Sequence, residues 1–74
     1  MKDRFDINKV LKGYKMVTNS GDDFNPTYIH LDKNPPIMGI IHGMPFHFNI
    51  FGKCVDREEI KKTVQLKVRA PSFN

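Results

Sequence analysis

The chain has 74 residues, of which 39% are apolar and 27% charged, a balance typical of one small globular domain, residues 1–74, rather than a disordered segment. The single cysteine, Cys54, excludes an intramolecular disulfide, and no apolar run approaches the roughly 18 residues of a transmembrane helix, so we expect a cytoplasmic protein without membrane association. The net charge of +4 and pI near 9.4 permit an anionic partner, but basic residues dispersed along the chain are more typical of a solvated surface.

The N-terminal segment FDINKVLKG predicts a short helix at about residues 6–12. Asp6 is a suitable N-cap, because its carboxylate can accept hydrogen bonds from the free backbone N–H groups of the first turn. Gly13 can adopt the left-handed conformation that follows many helices. We expect the helix to present one apolar face, because apolar residues recur at helical spacing at Ile7, Val10 and Leu11.

The rest of the chain, about residues 14–70, predicts closely spaced strands. The candidate strands are Tyr14–Thr18, Thr27–Asp32 (with Ile29 and Leu31 on one face), Ile37–Ile41, Phe46–Phe51 and the alternating VQLKV, in which Val64, Leu66 and Val68 face inwards. NSGDDFNP is typical of a turn, and DREEIKK predicts a helical turn in which Asp56 and Glu59 have capping-box spacing. We therefore expect a mainly β (α+β) domain, with a short N-terminal helix and a curled antiparallel sheet of about five strands, closed as an SH3-like roll or a partly open barrel.

The most apolar stretch, PPIMGIIHGMPFHFNIFGK, predicts a β-hairpin. Its turn is His42-Gly43, Gly43-Met44 or a four-residue loop from Gly43 to Phe46. All three turns divide the side chains in the same way, with Ile37, Ile41, Phe46, Phe48 and Ile50 on one face and Met38, Ile40, His42, His47, Asn49 and Phe51 on the other. On the first face Gly39 leaves room for a large neighbour such as Phe48. The second face is too apolar to be plain solvent-facing surface, so we expect the helix, a second protomer or a partner to cover it.

Motifs for catalysis and metal binding are weak. Four potential zinc ligands occur at spacings of 12, 5 and 7, without a CxxC motif or a helical pair of histidines: His30, His42, His47 and Cys54. Cys54 and His47 would form a possible catalytic dyad, but a cysteine in this strand-like context is typical of a small buried hydrophobe. Adjacent carboxylates at 22–23 and 58–59 are typical of surface, and no phosphate-binding loop occurs. We expect no enzyme, no cofactor and no metal site.

One surface constellation favours a ligand. Nucleotides and single-stranded nucleic acids stack on aromatic rings set among basic residues on the face of a sheet. If the strand order places them on one face, the candidate ligand-binding residues are Tyr28, His30, His47, Phe51, Lys67 and Arg69. A second set is predicted to form an interface with another protomer or a partner: Met38, Ile40, His42 and Phe51.

Four stretches together resemble a group of small uncharacterised proteins of Bacteroidetes phages and prophages. They are FDINKVLKGYKMVTNSGDD, YIHLDKNPPIMGIIHG, FNIFGKCV and VQLKVRAP, and the resemblance covers roughly residues 5 to 71. The shared features are structural: a helix that ends in glycine, a Val-Thr strand, a Pro-Ile hairpin, a Gly-Lys turn and a final strand. The chain departs from this pattern at Gly21-Asp22-Asp23 and at the basic KKTV that precedes the last strand.

The resemblance implies a phage or mobile-element accessory protein that acts in the host cytoplasm. We expect it to be a non-enzymatic binding protein and a homo-oligomer that inhibits or sequesters a host defence factor. The factor is a host protein or a nucleotide-like small molecule held between protomers, stacked on aromatic side chains with a lysine or arginine on its phosphate. Two alternatives remain open, a small nucleic-acid-binding module and a minor virion component.

Overall fold

The computed structural model of the protein describes residues 5–70. This part of the chain forms two short helices, α1 (Ile7–Leu11) and α2 (Glu59–Lys62), and six strands: β1 (Lys15–Thr18), β2 (Asp23–Phe24), β3 (Pro26–Ile29), β4 (Ile37–Ile41), β5 (Met44–Phe48) and β6 (Leu66–Arg69). The mainly β fold class with a short N-terminal helix is therefore confirmed. Neither helix within residues 5–70 is long and apolar enough to cross a membrane.

The strands form two antiparallel sheets of three strands each, in the orders β2-β1-β6 and β3-β4-β5, where the sequence predicts one sheet of about five. The extra strand, β2, lies inside the segment NSGDDFNP, which we expected to be a turn. A single residue, Asn25, separates β2 from β3, so the chain passes directly from one sheet to the other. On the opposite side Lys53 pairs with Gln65 and Cys54 pairs with Phe48, which links β6 to β5. The sheets therefore curl around one core and stay partly open.

The core is built from the inner faces of both sheets: Met16, Phe24, Ile37, Phe46, Phe48 and Leu66. The Phe24 ring meets the Phe48 ring edge-on, with 5.2 Å between centroids. A Cβ atom at Gly39 would overlap the far edge of the Phe24 ring. Gly39 thus leaves room for the Phe24 ring of the other sheet. The prediction that Phe48 is the large neighbour at this position is wrong, because Phe24 enters the space from β2.

Helix α1 begins and ends where the sequence predicts. The Asp6 carboxylate accepts a hydrogen bond from the Asn8 backbone N–H at 2.9 Å, and Gly13 has a φ of 109° and donates its N–H to the Val10 carbonyl at 3.0 Å. Ile7 and Val10 pack against the core, but Leu11 is 59% exposed. The expectation that all three apolar residues share the buried face is wrong for Leu11, which closes the last turn away from the sheets.

The β4–β5 hairpin has the first of the three turns considered. Ile41 pairs with Met44, and both turn residues have positive φ, 52° at His42 and 78° at Gly43, as a type I′ turn requires. The inner face predicted for this hairpin is confirmed for Ile37, Phe46 and Phe48, which are all buried. Strand β5 ends at Phe48 rather than Phe51, because Asn49 and Gly52 close a turn by a backbone hydrogen bond of 3.0 Å. Ile50 and Phe51 are therefore exposed in this turn.

Two other predictions differ in detail. Strand β3 ends at Ile29, where the chain enters a turn, so Leu31 is exposed instead of lying beside Ile29. The residue that precedes helix α2 is Glu58, which makes no side-chain capping hydrogen bond, and Asp56 contacts β5 instead. In β6 the predicted alternation is confirmed, since Leu66 and Val68 are buried while Lys67 and Arg69 are exposed.

The Lys61 side chain holds helix α2 against strand β5. It is only 5% exposed, which is unusual for a lysine. Its ammonium donates to the Pro45 carbonyl at 2.6 Å, lies 3.4 Å from the Glu58 carboxylate and stacks over the Phe46 ring at 5.1 Å from the centroid. The buried charge therefore has both an acceptor and an anionic partner, and the short helix is held in place beside the hairpin.

We predict that Gly39→Ala lowers the free energy of unfolding by about 2 kcal/mol, because the added methyl group must displace the Phe24 ring in a filled core. Urea unfolding followed by circular dichroism measures this change. In a Phe24→Leu background the same substitution should cost clearly less, since leucine lacks the outer ring atoms that the methyl group would meet. Equal costs in the two backgrounds would contradict the assignment of this contact.

Candidate functional site

The outer face of the β3–β4–β5 sheet, defined here by Tyr28, Met38, Ile40 and His47, brings together four of the nine residues proposed from the sequence. The strand register sets Tyr28 opposite Met38 and Met38 opposite His47, so the three side chains form a row across the three strands. Directly opposite side chains on one face lie close enough to interact. Ile40 follows Met38 on the same face and is 51% exposed. The result is an apolar strip bordered by two polar rings.

The Tyr28 end of the outer face carries an aromatic and cationic cluster. The ring centroids of Tyr28 and His30 are 5.3 Å apart, and the Lys33 ammonium lies 5.3 Å from the centre of the Tyr28 ring. Lys33 reaches the ring because its N–H bonds to the His30 carbonyl at 3.0 Å, which folds the chain back after β3. Sequence reasoning missed Lys33, since a residue in a turn has no periodic relation to the strand beside it.

At the other end of the outer face Asp56 holds His47. The His47 backbone N–H donates to one Asp56 carboxylate oxygen at 2.9 Å, and its ring Nδ1 lies 3.0 Å from the other. When neutral His47 donates from Nδ1, its Nε2 is left as a hydrogen-bond acceptor. The Asp56 side chain is largely buried, and Val55 donates its N–H to the His47 carbonyl at 2.9 Å. The segment after β5 thus covers the edge of this strand and orients the ring.

The Cys54 thiol lies beside the same carboxylate. Burial would raise the pKa of Asp56, but the hydrogen bonds that it accepts from the His47 backbone, the His47 ring and the Cys54 thiol hold this pKa below its ordinary value. Burial raises the pKa of the Cys54 thiol, and the neighbouring Asp56 charge adds to this effect. The thiol lies 3.5 Å from Asp56, to which it donates. This cysteine is therefore a neutral thiol paired with a carboxylate, rather than the thiolate that a Cys54–His47 dyad requires.

The remaining proposed residues lie elsewhere. Lys67 and Arg69 are on the outer face of the other sheet, where Arg69 lies 3.7 Å from the Asp23 carboxylate. In the part of the chain that the structure describes, no hydrogen bond, ion pair or ring contact joins these two residues to the outer face. His42 lies at the hairpin tip and Phe51, 67% exposed, at its opposite end. The structure therefore brings together Tyr28, His30, His47, Met38 and Ile40, and separates them from Lys67, Arg69, His42 and Phe51.

Comparison of the chain with protein families, with curated proteins and with solved structures finds no match. Within residues 5–70, no group of three or more histidine, cysteine, aspartate or glutamate side chains could hold a metal ion.

We predict that Asp56→Asn lowers the free energy of unfolding by about 1–2 kcal/mol at neutral pH, because the amide has a single acceptor oxygen and cannot replace both carboxylate oxygens that face the His47 backbone N–H and ring. The folded-state pKa of Asp56 lies below the unfolded value of about 3.9, so the stabilisation is present above that value and is lost as the pH falls through the folded pKa. Urea unfolding of both proteins from neutral to acidic pH should show the difference shrinking in this acidic range. A difference that does not change with pH would contradict this role of the charge.

Proposed function

We propose that the protein is a non-enzymatic binding protein that inhibits or sequesters a host factor by covering it with the outer face. The observation that carries this proposal is the apolar strip on the outer face, in which Ile40 is 51% exposed and Met38 is partly exposed on a hydrogen-bonded sheet. The proposed setting, a phage or mobile-element accessory protein in the host cytoplasm, rests on the resemblance alone.

The composition of the outer face favours a protein as its target. Protein interfaces are enriched in tyrosine and methionine at their centre and are surrounded by a polar rim. Here Met38 lies between Tyr28 on one side and the His47–Asp56 pair on the other, and Ile40 follows it on the same face, opposite Pro45. Two cavities, of about 220 and 180 Å³, are lined by residues outside this face. An exposed apolar strip of this kind suits another protein surface better than a small substrate.

Self-association through the same region is a related proposal. Among the described residues β3 pairs only with β4, so its other edge has unpaired backbone groups. An open edge next to an apolar face favours pairing with a second copy of the chain. Sedimentation of the purified protein at increasing concentration distinguishes a homo-oligomer from a monomer that binds a different partner.

We predict that Ile40→Glu weakens binding to the target at least tenfold, since it places a charge at the centre of the apolar strip. The target is first captured from host lysate on the immobilised protein, then purified and titrated by calorimetry. Leu11→Glu is the matched control, because Leu11 is similarly exposed but lies on α1. The proposal requires that this control binds like the original protein. Equal binding by both variants would show that the target uses another surface.

A second candidate, binding of a nucleotide or a single-stranded nucleic acid, is favoured by the cluster at the Tyr28 end of the outer face. The rings of Tyr28 and His30 could stack on a base while the Lys33 ammonium, 5.3 Å from the Tyr28 ring, contacts a phosphate. This cluster replaces the six-residue site expected from the sequence, since Lys67 and Arg69 lie on the other sheet.

For this second candidate we predict that a nucleotide or an oligonucleotide raises the unfolding temperature, and that Lys33→Gln removes most of the rise. Thermal unfolding with a panel of nucleotides and short single strands measures the effect, which should decrease as the salt concentration increases. Lys12→Gln is the control, since it removes an exposed lysine at the end of α1. If no member of the panel changes the unfolding temperature at low salt, the second candidate is wrong.

A further inference from the structure

A groove beside the hairpin tip is distinct from the outer face. It encloses about 220 Å³ between the β4–β5 hairpin, helix α2 and the turn that joins β1 to β2. Its floor is apolar and includes Ile41, Phe46 and Val64, while its wall is polar and includes Asp22 and His42. Apolar space with a few polar groups at its border is the usual composition of a small-molecule site.

Both sides of the groove are held in place by specific hydrogen bonds. The Asn19 side chain donates to the Thr63 carbonyl at 2.9 Å and accepts from the Gln65 N–H at 3.3 Å, which ties the β1–β2 turn to the chain after α2. On the other side the Lys61 ammonium bonds to the Pro45 carbonyl at 2.6 Å. Because hydrogen bonds already hold both walls in place, the groove loses little conformational freedom when a ligand binds.

The charge of the groove is opposite to that of the whole chain. Twelve lysines and arginines against eight aspartates and glutamates give the chain a net charge of +4, yet no lysine or arginine within residues 5–70 lines this groove. The Asp22 carboxylate has no ion-pair partner within residues 5–70, and it accepts one long hydrogen bond, 3.4 Å, from the Ser20 hydroxyl. His42 in its neutral form adds no charge. Lys61 stacks on Phe46, but its charge is offset by Glu58. Asp22 is exposed at the border of the groove, and a carboxylate without an ion-pair partner beside an apolar floor favours a cation over an anion.

The volume limits the size of this cation. A dry protein cavity of about 150 Å³ accepts benzene, so 220 Å³ accommodates one ring and a short chain. We propose that the groove binds a small organic amine, with its ring on the floor formed by Ile41, Phe46 and Val64 and its ammonium at the Asp22 carboxylate. This site is independent of the proposed function, because none of its lining residues belongs to the outer face.

The test is a titration with three probes that differ only in their polar end: phenethylamine, phenylethanol and phenylpropionate. Two-dimensional NMR follows the methyl groups of Ile41 and Val64, which report on the floor of the groove. We expect saturable chemical-shift changes with phenethylamine and phenylethanol but not with phenylpropionate. The amine should bind about tenfold more tightly than the alcohol, because its ammonium forms a hydrogen bond to a charged carboxylate.

Asp22→Asn should remove this tenfold difference and leave the affinity for the alcohol unchanged. Asp32→Asn, in the turn after β3, is the matched control and should bind all three probes like the original protein.

The alternative outcomes each overturn the proposal. Equal affinity for amine and alcohol, or an Asp22→Asn variant that still prefers the amine, would show that the carboxylate has no role. Shifts confined to residues outside the groove, or no saturable shift, would show that the cavity holds no ring. If a peptide that carries phenylalanine next to lysine binds at the groove and phenethylamine does not, the site is a protein-docking site and the small-molecule proposal is wrong. Ile40→Glu should leave amine binding unchanged, so failure here is distinguishable from failure of the outer face.

Discussion

The contact between the Phe24 ring and Gly39 is the constraint on which the rest of the structure depends. Phe24 belongs to a strand of two residues, yet its ring crosses to the other sheet and occupies the place where any other residue at position 39 would have its Cβ. There it also meets Phe48 edge-on. A domain of this size has a small core, so one ring that joins both sheets represents a large part of the packing that holds them together.

This packing determines which side chains are left outside. Because the inner face of β4 is occupied by Ile37 and by the Phe24–Gly39 contact, Met38 and Ile40 must lie on the outer face. Asp56 then has two roles at the same place. Its carboxylate accepts the His47 backbone N–H, which would otherwise be unpaired at the edge of β5, and it orients the His47 ring at the border of the outer face. One carboxylate therefore both completes the hydrogen bonding at the edge of β5 and orients a ring at the border of the outer face.

The two candidate binding surfaces differ in charge as well as in shape. The outer face is a strip whose Tyr28 end carries the Lys33 ammonium, so it suits a protein or an anionic ligand. The groove is concave, has Asp22 in its wall and, in the described part of the chain, is lined by no lysine or arginine, so it suits a cation. A net positive charge summed over the chain conceals this difference. The distribution of charge on individual surfaces, rather than the total, indicates which partners the protein can hold.

Local signals were sufficient to predict a large part of the fold. Asp6 and Gly13 predict where α1 begins and ends. The alternation in VQLKV predicts a strand with one buried face. The two faces of the hairpin follow from the two-residue period of a strand, whichever turn is used. The site was predicted only in part, as Met38, Ile40, Tyr28 and His47, and without Lys33 and Asp56. Neither of these two lies in a strand, so no periodic pattern connects them to the outer face.

Backbone preferences and neighbours within a few positions are enough to predict where the first helix begins, most of the strands and the two faces of the β4–β5 hairpin, but they miss β2 and the ends of β3 and β5. Only the tertiary structure decided that Phe24 fills the space at Gly39, that Asp56 holds His47, and that Lys67 and Arg69 lie apart from Tyr28. The contacts of Phe24 with Gly39 and of Asp56 with His47 each join separate segments of the chain. Their formation depends on how two twisted sheets close around a shared core, which no local pattern records.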